Sequence, residues 1–190
     1  MSRKVQSPEP PEGFRYQADV LPVAEEQELV EQIRVLPLKE FEFHGYIGKR
    51  RVISYGWHYD FGERTLQQAN EIPVFLHKLR ERAAAFAELA PGDLPHALVT
   101  EYSPGAAIGW HRDKGVFGSV IGISLLSPCV FRLRRKAGST PSSWERYSLT
   151  AAPRSVYLLS GAARTEWEHS IPAVDALRYS ITFRSLRSGR

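Results

Sequence analysis

The chain has 190 residues, of which 43% are hydrophobic and 24% charged, with 25 Lys and Arg residues against 21 Asp and Glu residues. This length supports one domain with a sizeable core, and the most apolar stretch, residues 120–131, is far shorter than the ~20 residues of a membrane-spanning helix. The single cysteine, Cys129, excludes an intrachain disulfide and favours a reducing compartment.

The N-terminal residues 1–13 are polar and rich in proline, and they show no targeting segment. We interpret them as a disordered or extended lead-in, and residues 14–190 as a single domain. We therefore expect a soluble, cytoplasmic, monomeric protein with no membrane partner. The formal net charge of +4 permits nucleic acid as a partner but is too small to require one.

Two helices are predicted in the first half of the chain. Residues 22–36 carry apolar side chains at helical spacing and acidic side chains in the early turns, which favours an amphipathic helix that ends at Pro37. Residues 70–90 form a second apolar stripe, with Pro73 suited to its first turn. Helices in this position would pack against one side of a sheet.

Between these helices, residues 41–60 alternate aromatic and polar side chains and contain the basic run at 49–51, which predicts strand pairs or a hairpin. One interpretation is an ordinary edge hairpin that covers the core. The alternative is a flap that binds substrate, with basic side chains on phosphates and aromatic rings stacked on a base. The candidate substrate-binding residues are Arg51, Tyr55, Trp57, His58 and Tyr59.

From residue 97 onward the chain reads as a series of short strands separated by turns. The strands are expected at residues 97–102, 108–112, 119–125, 130–134, 146–149, 155–159 and 178–185. Many short strands at this spacing indicate a sandwich, a barrel or a jelly roll, with the two earlier helices as buttresses.

The tripeptide His111-Arg112-Asp113 ends one of these strands. Residues i and i+2 of a strand project to the same face, so His111 and Asp113 form a pair of candidate metal ligands. The most plausible third ligand is His169. Two histidines and one carboxylate on one side of a metal leave the opposite positions open, as suits ferrous iron in oxygenases. Trp110 and Trp167 are expected in the core beside this metal.

The last predicted strand places Arg178, Ser180, Thr182 and Arg184 on one face. Two arginines beside two hydroxyls are poorly suited to a core. They would make a good pocket for a dicarboxylate, because each guanidinium can bind one carboxylate through paired hydrogen bonds.

Three motifs together resemble the AlkB family of iron(II)- and 2-oxoglutarate-dependent dioxygenases. They are Y-x-P-G-x-x-I-x-x-H-x-D at residues 102–113, W-x-H at 167–169 and R-Y-S-I-T-F-R at 178–184. The resemblance covers about residues 97–185, and more loosely the basic hairpin. It implies an α+β fold with a double-stranded β-helix (jelly roll) core at about 97–186, buttressed by the N-terminal helices, and a substrate flap at about 41–60.

The resemblance also implies roles for individual residues. His111, Asp113 and His169 would bind Fe(II), and Arg178, with Tyr102 and Ser180 nearby, would hold the distal carboxylate of 2-oxoglutarate. Arg184 would lie near the end of 2-oxoglutarate that chelates the metal. The implied reaction uses O2 to hydroxylate an alkyl group on a base nitrogen of DNA or RNA, after which the carbon leaves as an aldehyde. The target base must be unstacked to reach the metal.

Two positions depart from the family pattern. Thr100 stands where members often have Asn, and it is a shorter and weaker donor towards 2-oxoglutarate. Gly115 stands where members that repair DNA often carry an acidic residue that contacts the exocyclic amine of the base. Both departures bear on cosubstrate binding and base preference.

Three functional classes remain open. The favoured class is a dioxygenase that removes alkyl groups from nucleic-acid bases. The alternatives are an oxygenase of the same mechanism acting on a protein or small molecule, and a non-catalytic jelly-roll binding module. The basic residues at 49–51, interleaved with aromatic residues, favour the first class over the second, and the intact metal and arginine positions count against the third.

Overall fold

Strands outnumber helices in the structure, a computed structural model that describes residues 9–43, 46–60, 65–138 and 143–187, without the side chains of 42, 43, 46–48, 58–60, 65 and 66. The strands are β1 (Phe14–Gln17), β2 (Lys39–Phe43), β3 (Tyr46–Tyr55), β4 (Trp57–Asp60), β5 (Thr65–Gln68), β6 (His96–Tyr102), β7 (Ile108–His111), β8 (Phe117–Leu125), β9 (Cys129–Lys136), β10 (Trp144–Ala151), β11 (Ser155–Leu159), β12 (Glu168–Ile171) and β13 (Arg178–Leu186). The helices are α1 (Val23–Arg34), α2 (His77–Ala87) and α3 (Gly161–Thr165), with 3-10 turns at Val74–Leu76 and Pro91–Asp93.

Within the described residues, the strands form two main antiparallel sheets. The large sheet has the order β1-β11-β8-β13-β6-β3-β2, and the small sheet has the order β10-β9-β12-β7. Strands β4 and β5 pair with each other as a separate ribbon. Sequence neighbours are repeatedly separated in these orders, as in a jelly roll. The predicted α+β fold with a jelly-roll core is confirmed.

The large sheet has an apolar core on each of its two faces. On one face, α1 and α2 pack against side chains such as Val99, Ile123 and Ile181, none of which is more than 1% exposed. On the other face, the large sheet packs against the small sheet through side chains such as Phe131, Leu133 and Leu159. The predicted helices therefore do buttress one side of the sheet, and the small sheet covers the other.

Strand β13 lies near the middle of the large sheet, between β8 and β6. Its apolar residues Tyr179, Ile181 and Phe183 belong to the core beneath the helices. Because side chains alternate along a strand, Arg178, Ser180, Thr182 and Arg184 face the small sheet instead. All four are buried. The fold thus carries a row of polar side chains into the space between the two sheets.

The elements differ from the prediction in three places. The sequence analysis missed β1, β5, α3 and β12, each of which has only four or five residues and therefore too few side chains to show a period. The second helix is shorter than predicted, because a 3-10 turn follows Pro73 and the helix ends where Glu88 adopts a left-handed φ of 59°. Part of the basic hairpin belongs to the large sheet and is not a separate flap, since β3 pairs with β6 from Arg50 to Tyr55.

The segment expected to be a lead-in already contacts the rest of the domain before residue 14. Pro11 is buried, and the carbonyl oxygens of Glu12 and Gly13 accept hydrogen bonds from the N–H groups of Ala163 (2.8 Å) and Ser160 (2.9 Å). A Cβ on Gly13 would lie 2.1 Å from the carbonyl oxygen of Ser160, so only glycine allows this approach. Residues 1–8 of the predicted lead-in lie outside the described residues.

None of the helices in the described ranges is long and apolar enough to cross a membrane.

Candidate metal centre and anion pocket

Three side chains meet between the sheets. Two of them come from strands, and the third comes from the turn that follows one of these strands. His111 is the last residue of β7 and lies directly opposite His169 of β12, with ring centroids 4.2 Å apart. Asp113 follows two residues after His111, and one ligand atom from each of the three residues lies within 4.8 Å of the others. The structure therefore brings together the three residues that the sequence analysis proposed as metal ligands.

The imidazole of His111 is oriented by its own strand. Its Nδ1 lies 2.8 Å from the carbonyl oxygen of Gly109. Because a carbonyl oxygen only accepts hydrogen bonds, Nδ1 carries the proton and Nε2 keeps its lone pair. Hydrogen bonding of the second ring nitrogen to the backbone is a common way to orient a metal-binding histidine.

Burial and the neighbouring charges keep Asp113 ionised and His169 neutral. Burial alone would raise the pKa of Asp113, but Arg184 and the two imidazoles outweigh it and hold that pKa well below its usual range. The Arg184 guanidinium approaches the Asp113 carboxylate at 3.3 Å and 3.4 Å. Burial, together with His111, lowers the pKa of His169 to about 3. Metal ligands must be deprotonated to bind, and both groups are in that state at neutral pH.

Arg178 is a buried guanidinium, only 1% exposed, on the same face of β13. Its Nε and Nη2 donate to the hydroxyl oxygen of Ser124 at 3.2 Å and 3.1 Å. Among the described residues, its Nη1 has no hydrogen-bond partner. A buried cation without a carboxylate is costly, so this guanidinium favours an anionic partner.

Several residues that carry hydroxyl groups neighbour Arg178 in the large sheet. The ring of Tyr102 lies 4.8 Å from the Arg178 Cζ, and the two residues are direct partners across β6 and β13. Ser180 lies between Thr100 on β6 and Ser124 on β8, and all three are buried. A cation with several neutral donors around it suits one carboxylate of a dicarboxylate.

The sequence analysis missed Tyr157, Ser124 and Phe131. The Tyr157 ring passes over Gly122, where an added Cβ would lie 2.1 Å from Tyr157 Cζ. Burial, with the neighbouring Tyr102 phenol, raises the pKa of Tyr157 far above its usual value, so it remains a donor. Phe131 lies between Tyr157 and His169, with centroid distances of 4.5 Å and 5.6 Å. Only the pairing of β11 with β8 shows that a glycine faces this tyrosine.

Two predicted substrate-binding residues lie on the wrong face of the sheet. Arg51 makes a bidentate ion pair with Glu101, with both N···O distances at 2.8 Å. Tyr55 is 7% exposed and packs in the core beneath the helices. Successive residues of a strand point to opposite faces, and the register of β3 with β6 places these two away from the metal ligands. Their assignment to substrate binding is therefore corrected.

The same register places a different arginine of β3 on the face of the anion pocket. Arg50 lies opposite Tyr102 and so shares the face of the anion pocket, with its guanidinium 4.5 Å from the centroid of Phe41. Trp57 is half-buried at the start of β4, opposite Gln68. The side chains of His58 and Tyr59, the remaining candidates, lie outside the described residues.

The residues present fit the groups that the motifs imply. Two imidazoles and a carboxylate are a donor set for iron(II), and the Nη1 of Arg178, unpartnered among the described residues, offers a binding point for an anion. Trp167 is buried in the core between the sheets, as expected. Trp110 is not in that core, because its ring lies on the outer face of the small sheet against Arg132 and Arg134.

Comparison with known proteins gives a consistent result. A profile of the 2OG-Fe(II) oxygenase superfamily matches residues 13–184. A protein from Arabidopsis thaliana, named Alkylated DNA repair protein ALKBH8 homolog, is 31% identical over 194 residues, which cover 89% of this chain and 54% of that protein. The chain therefore spans about half the length of this relative.

Solved structures share the fold. The structure of OsALKBH1 matches with a TM-score of 0.65 and 17% identity, covering 91% of this chain and 96% of that one. A prolyl-4-hydroxylase from Pseudomonas putida matches with a TM-score of 0.61 and 17% identity, covering 93% and 94%. An oxidoreductase of the 2OG-Fe(II) oxygenase family from Burkholderia pseudomallei matches with a TM-score of 0.63 and 16% identity, covering 93% and 86%. At these identities, the matches establish the fold alone.

Proposed function

Because the chain belongs to the 2OG-Fe(II) oxygenase superfamily and is AlkB-like, we propose that it removes alkyl groups from nucleic-acid bases by oxidation. Its class is that of an Fe(II)- and 2-oxoglutarate-dependent dioxygenase, which uses O2. The observation that carries the proposal is a His–Asp–His cluster between the two sheets, on the same side of the large sheet as Arg178, whose Nη1 has no hydrogen-bond partner among the described residues.

The chain's own residues divide the work between them. His111, Asp113 and His169 would hold the iron from one side, and Arg178 would bind the distal carboxylate of 2-oxoglutarate through its Nη1. Ser124 fixes the Arg178 guanidinium, which reduces the ordering needed when the anion binds. The Arg184 guanidinium holds the Asp113 carboxylate in place.

When bound, iron and 2-oxoglutarate supply the oxidation: O2 and 2-oxoglutarate are consumed, succinate and CO2 are released, and a C–H bond on the alkyl group is hydroxylated. Phe131 and Tyr157 place aromatic rings beside His169, which would limit the water around the metal. The hydroxylated carbon then separates from the base nitrogen as an aldehyde.

Two observations support nucleic acid as the substrate. The Arabidopsis relative is named as an alkylated DNA repair protein. Arg50 places a cation on the face of the large sheet that carries the anion pocket, beside Tyr102, where it could meet a phosphate of the substrate.

The test is an assay with iron(II), 2-oxoglutarate and a panel of methylated and etheno-bridged bases in single- and double-stranded DNA and RNA. We expect succinate release to rise with at least one alkylated strand, and the mass of that strand to fall by the lost alkyl group. An unmodified strand and the Asp113→Ala variant are the controls. Turnover of 2-oxoglutarate that no alkylated oligonucleotide stimulates would contradict the proposal and favour a protein or a small molecule.

Gly115 allows a second test on base preference. It is exposed, and a Cβ at this position would meet no other atom within 4 Å. Gly115→Asp therefore places a carboxylate after Asp113 without a clash, and we expect it to favour bases with an exocyclic amine. Gly115→Ala is the matched control. Equal base preference of the two variants would remove this position from substrate selection.

A further inference from the structure

The outer face of the small sheet carries a basic and aromatic surface that the proposed reaction does not use. His169 on β12 and Phe131 and Leu133 on β9 point inward. Their sequence neighbours therefore point outward. Among the described residues of β9, β10 and β12, the charged side chains on this outer face are four basic ones, Arg132, Arg134, Lys136 and Arg146, and one acidic one, Glu168.

Two tryptophan rings lie in a row with three of these basic side chains. The guanidinium of Arg134 lies between the rings of Trp110 and Trp144, at 4.3 Å and 4.2 Å from their centroids. Arg132 lies 5.0 Å from the Trp110 ring, and the Lys136 ammonium lies 5.9 Å from the Trp144 ring. Rings and cations thus alternate across the sheet from β7 to β10.

The arginines of this row are held in place by the sheet. The Nε of Arg134 donates to Glu168 at 2.7 Å, and the Nε of Arg132 donates to the Ser170 hydroxyl at 3.0 Å. Each guanidinium is therefore fixed through one nitrogen, and its orientation costs little further entropy when a ligand binds. A solvated lysine patch would not have this rigidity.

The position of the row relates it to the metal centre. β7 is the edge strand of the small sheet, and it carries His111 on the inner face and Trp110 on the outer face. The pairing of β7 with β12 is irregular between His169 and Ile171. A polymer that inserts one unit toward His111 would pass this edge strand on its way to the outer face.

We propose that this outer face binds the strand that flanks the target base, with phosphates on Arg132, Arg134, Lys136 and Arg146 and bases stacked on Trp110 and Trp144. Basic side chains bind phosphates without regard to sequence, and aromatic rings stack on any base. The combination of flat rings and arginines favours nucleic acid over an acidic protein, because bases stack on aromatic rings and on guanidinium planes. This inference rests on the proposed function, because it assigns the surface to the same nucleic acid.

The test measures binding of an unmodified, fluorescently labelled single-stranded oligonucleotide at several salt concentrations. The double variant Lys136→Gln/Arg146→Gln removes two exposed basic side chains from the outer face. The control, Arg34→Gln/Lys78→Gln, removes the same charge from two ion-paired surface residues on α1 and α2. We expect the outer-face variant to bind about tenfold more weakly than the control. Its slope of log K against log salt should be smaller by roughly 1.4, at about 0.7 for each lost contact.

A third variant separates stacking from charge. Trp144→Leu keeps an apolar side chain but removes the flat ring, so we expect weaker binding with an unchanged salt slope. Turnover of 2-oxoglutarate without nucleic acid should be the same in all variants, because none of these residues touches the metal ligands. Equal affinity and slope for the outer-face variant and the control would overturn the proposal, as would stronger binding of polyglutamate than of the oligonucleotide.

The outcomes distinguish this inference from the proposed function. If the protein oxidises an alkylated oligonucleotide while the outer-face variant binds like the control, the function stands and the surface assignment fails. If the outer-face variant loses binding of the unmodified strand while no alkylated base is oxidised, the surface stands and the proposed function fails.

Discussion

At the scale of single residues, Arg178 and Tyr157 define the anion pocket. Arg178 is buried without a carboxylate partner among the described residues, and Ser124 alone satisfies two of its nitrogens. Tyr157 is a buried phenol that stays protonated within electrostatic reach of Arg178 and Tyr102. The unpaired cation of Arg178 is more costly to the folded protein alone than to a complex with a dianion, and the Tyr157 hydroxyl is a donor for that dianion. Their variants should therefore affect cosubstrate binding more than stability.

Arg178→Gln should raise the KM for 2-oxoglutarate by about 10- to 150-fold, because a charge-assisted hydrogen bond contributes about 1.5–3 kcal/mol. The melting temperature should be unchanged or higher, since the variant removes an unpaired buried charge. Steady-state kinetics and a thermal melt measure the two effects. Arg178→Lys keeps the charge without the planar guanidinium. Its KM should therefore lie between those of the unchanged protein and of Arg178→Gln. An unchanged KM in Arg178→Gln would remove this residue from the pocket.

Tyr157→Phe should raise the KM for 2-oxoglutarate by about tenfold, which corresponds to the loss of one hydrogen bond of about 1.4 kcal/mol. The kcat at saturating 2-oxoglutarate should change little. Tyr147→Phe is the control, because Tyr147 packs on the same core, with its ring 5.6 Å from that of Phe14. Equal KM values for the two variants would mean that the Tyr157 hydroxyl serves only the core.

At the scale of elements, strands β3 and β13 each supply two different surfaces. β13 presents Tyr179, Ile181 and Phe183 to the helices and its polar residues to the metal site. β3 does the same, with Arg51 paired to Glu101 on the helix side and Arg50 opposite Tyr102 on the site side. Arg50 and Arg51 are adjacent in sequence but lie on opposite faces of the sheet, so their roles differ.

This division predicts opposite phenotypes for two neighbouring variants. Arg51→Ala should lower the free energy of unfolding by about 1–3 kcal/mol, because the buried carboxylate of Glu101 loses its main partner. Its affinity for an alkylated oligonucleotide should stay the same. Arg50→Ala should weaken that affinity several-fold and leave stability unchanged.

Thermal melts and oligonucleotide titrations of the two variants give the comparison. If Arg51→Ala weakened binding and Arg50→Ala did not, the face assignment derived from the register of β3 with β6 would be reversed.

At the scale of the whole molecule, the site exists only where the two sheets meet. The small sheet contributes His111 and His169, the turn after β7 contributes Asp113, and the large sheet contributes Arg178 and Arg184. A metal and a dianion that contact both layers bind the folded state and not the unfolded chain. Their binding should therefore stabilise the protein as a whole.

Nickel(II) with 2-oxoglutarate should raise the melting temperature by about 5–10 °C, because ligands present at about 100 times their Kd stabilise by about 2.7 kcal/mol. Nickel supports binding without turnover, so the melt reports occupancy. His111→Ala should lose most of this shift, while His77→Ala, on α2, should keep it. A shift that is the same in both variants would show that the ligands bind elsewhere.

The sequence by itself determined the features that follow from strand periodicity. The spacing of His111 and Asp113 and the alternation along residues 178–184 each place polar side chains on one face, because successive side chains of a strand point in opposite directions. With the family motifs, this was enough to predict the jelly roll and the chemistry.

The tertiary structure alone decided which strands became neighbours, and with them the face of each residue. It paired β3 with β6 so that Arg50, rather than Arg51, shares the site face, and it set Tyr157 across Gly122. It also turned Trp110 outward, next to an inward His111. The alternation is a local property of the backbone, whereas the inside of a sandwich is defined by contacts between strands that are far apart in sequence.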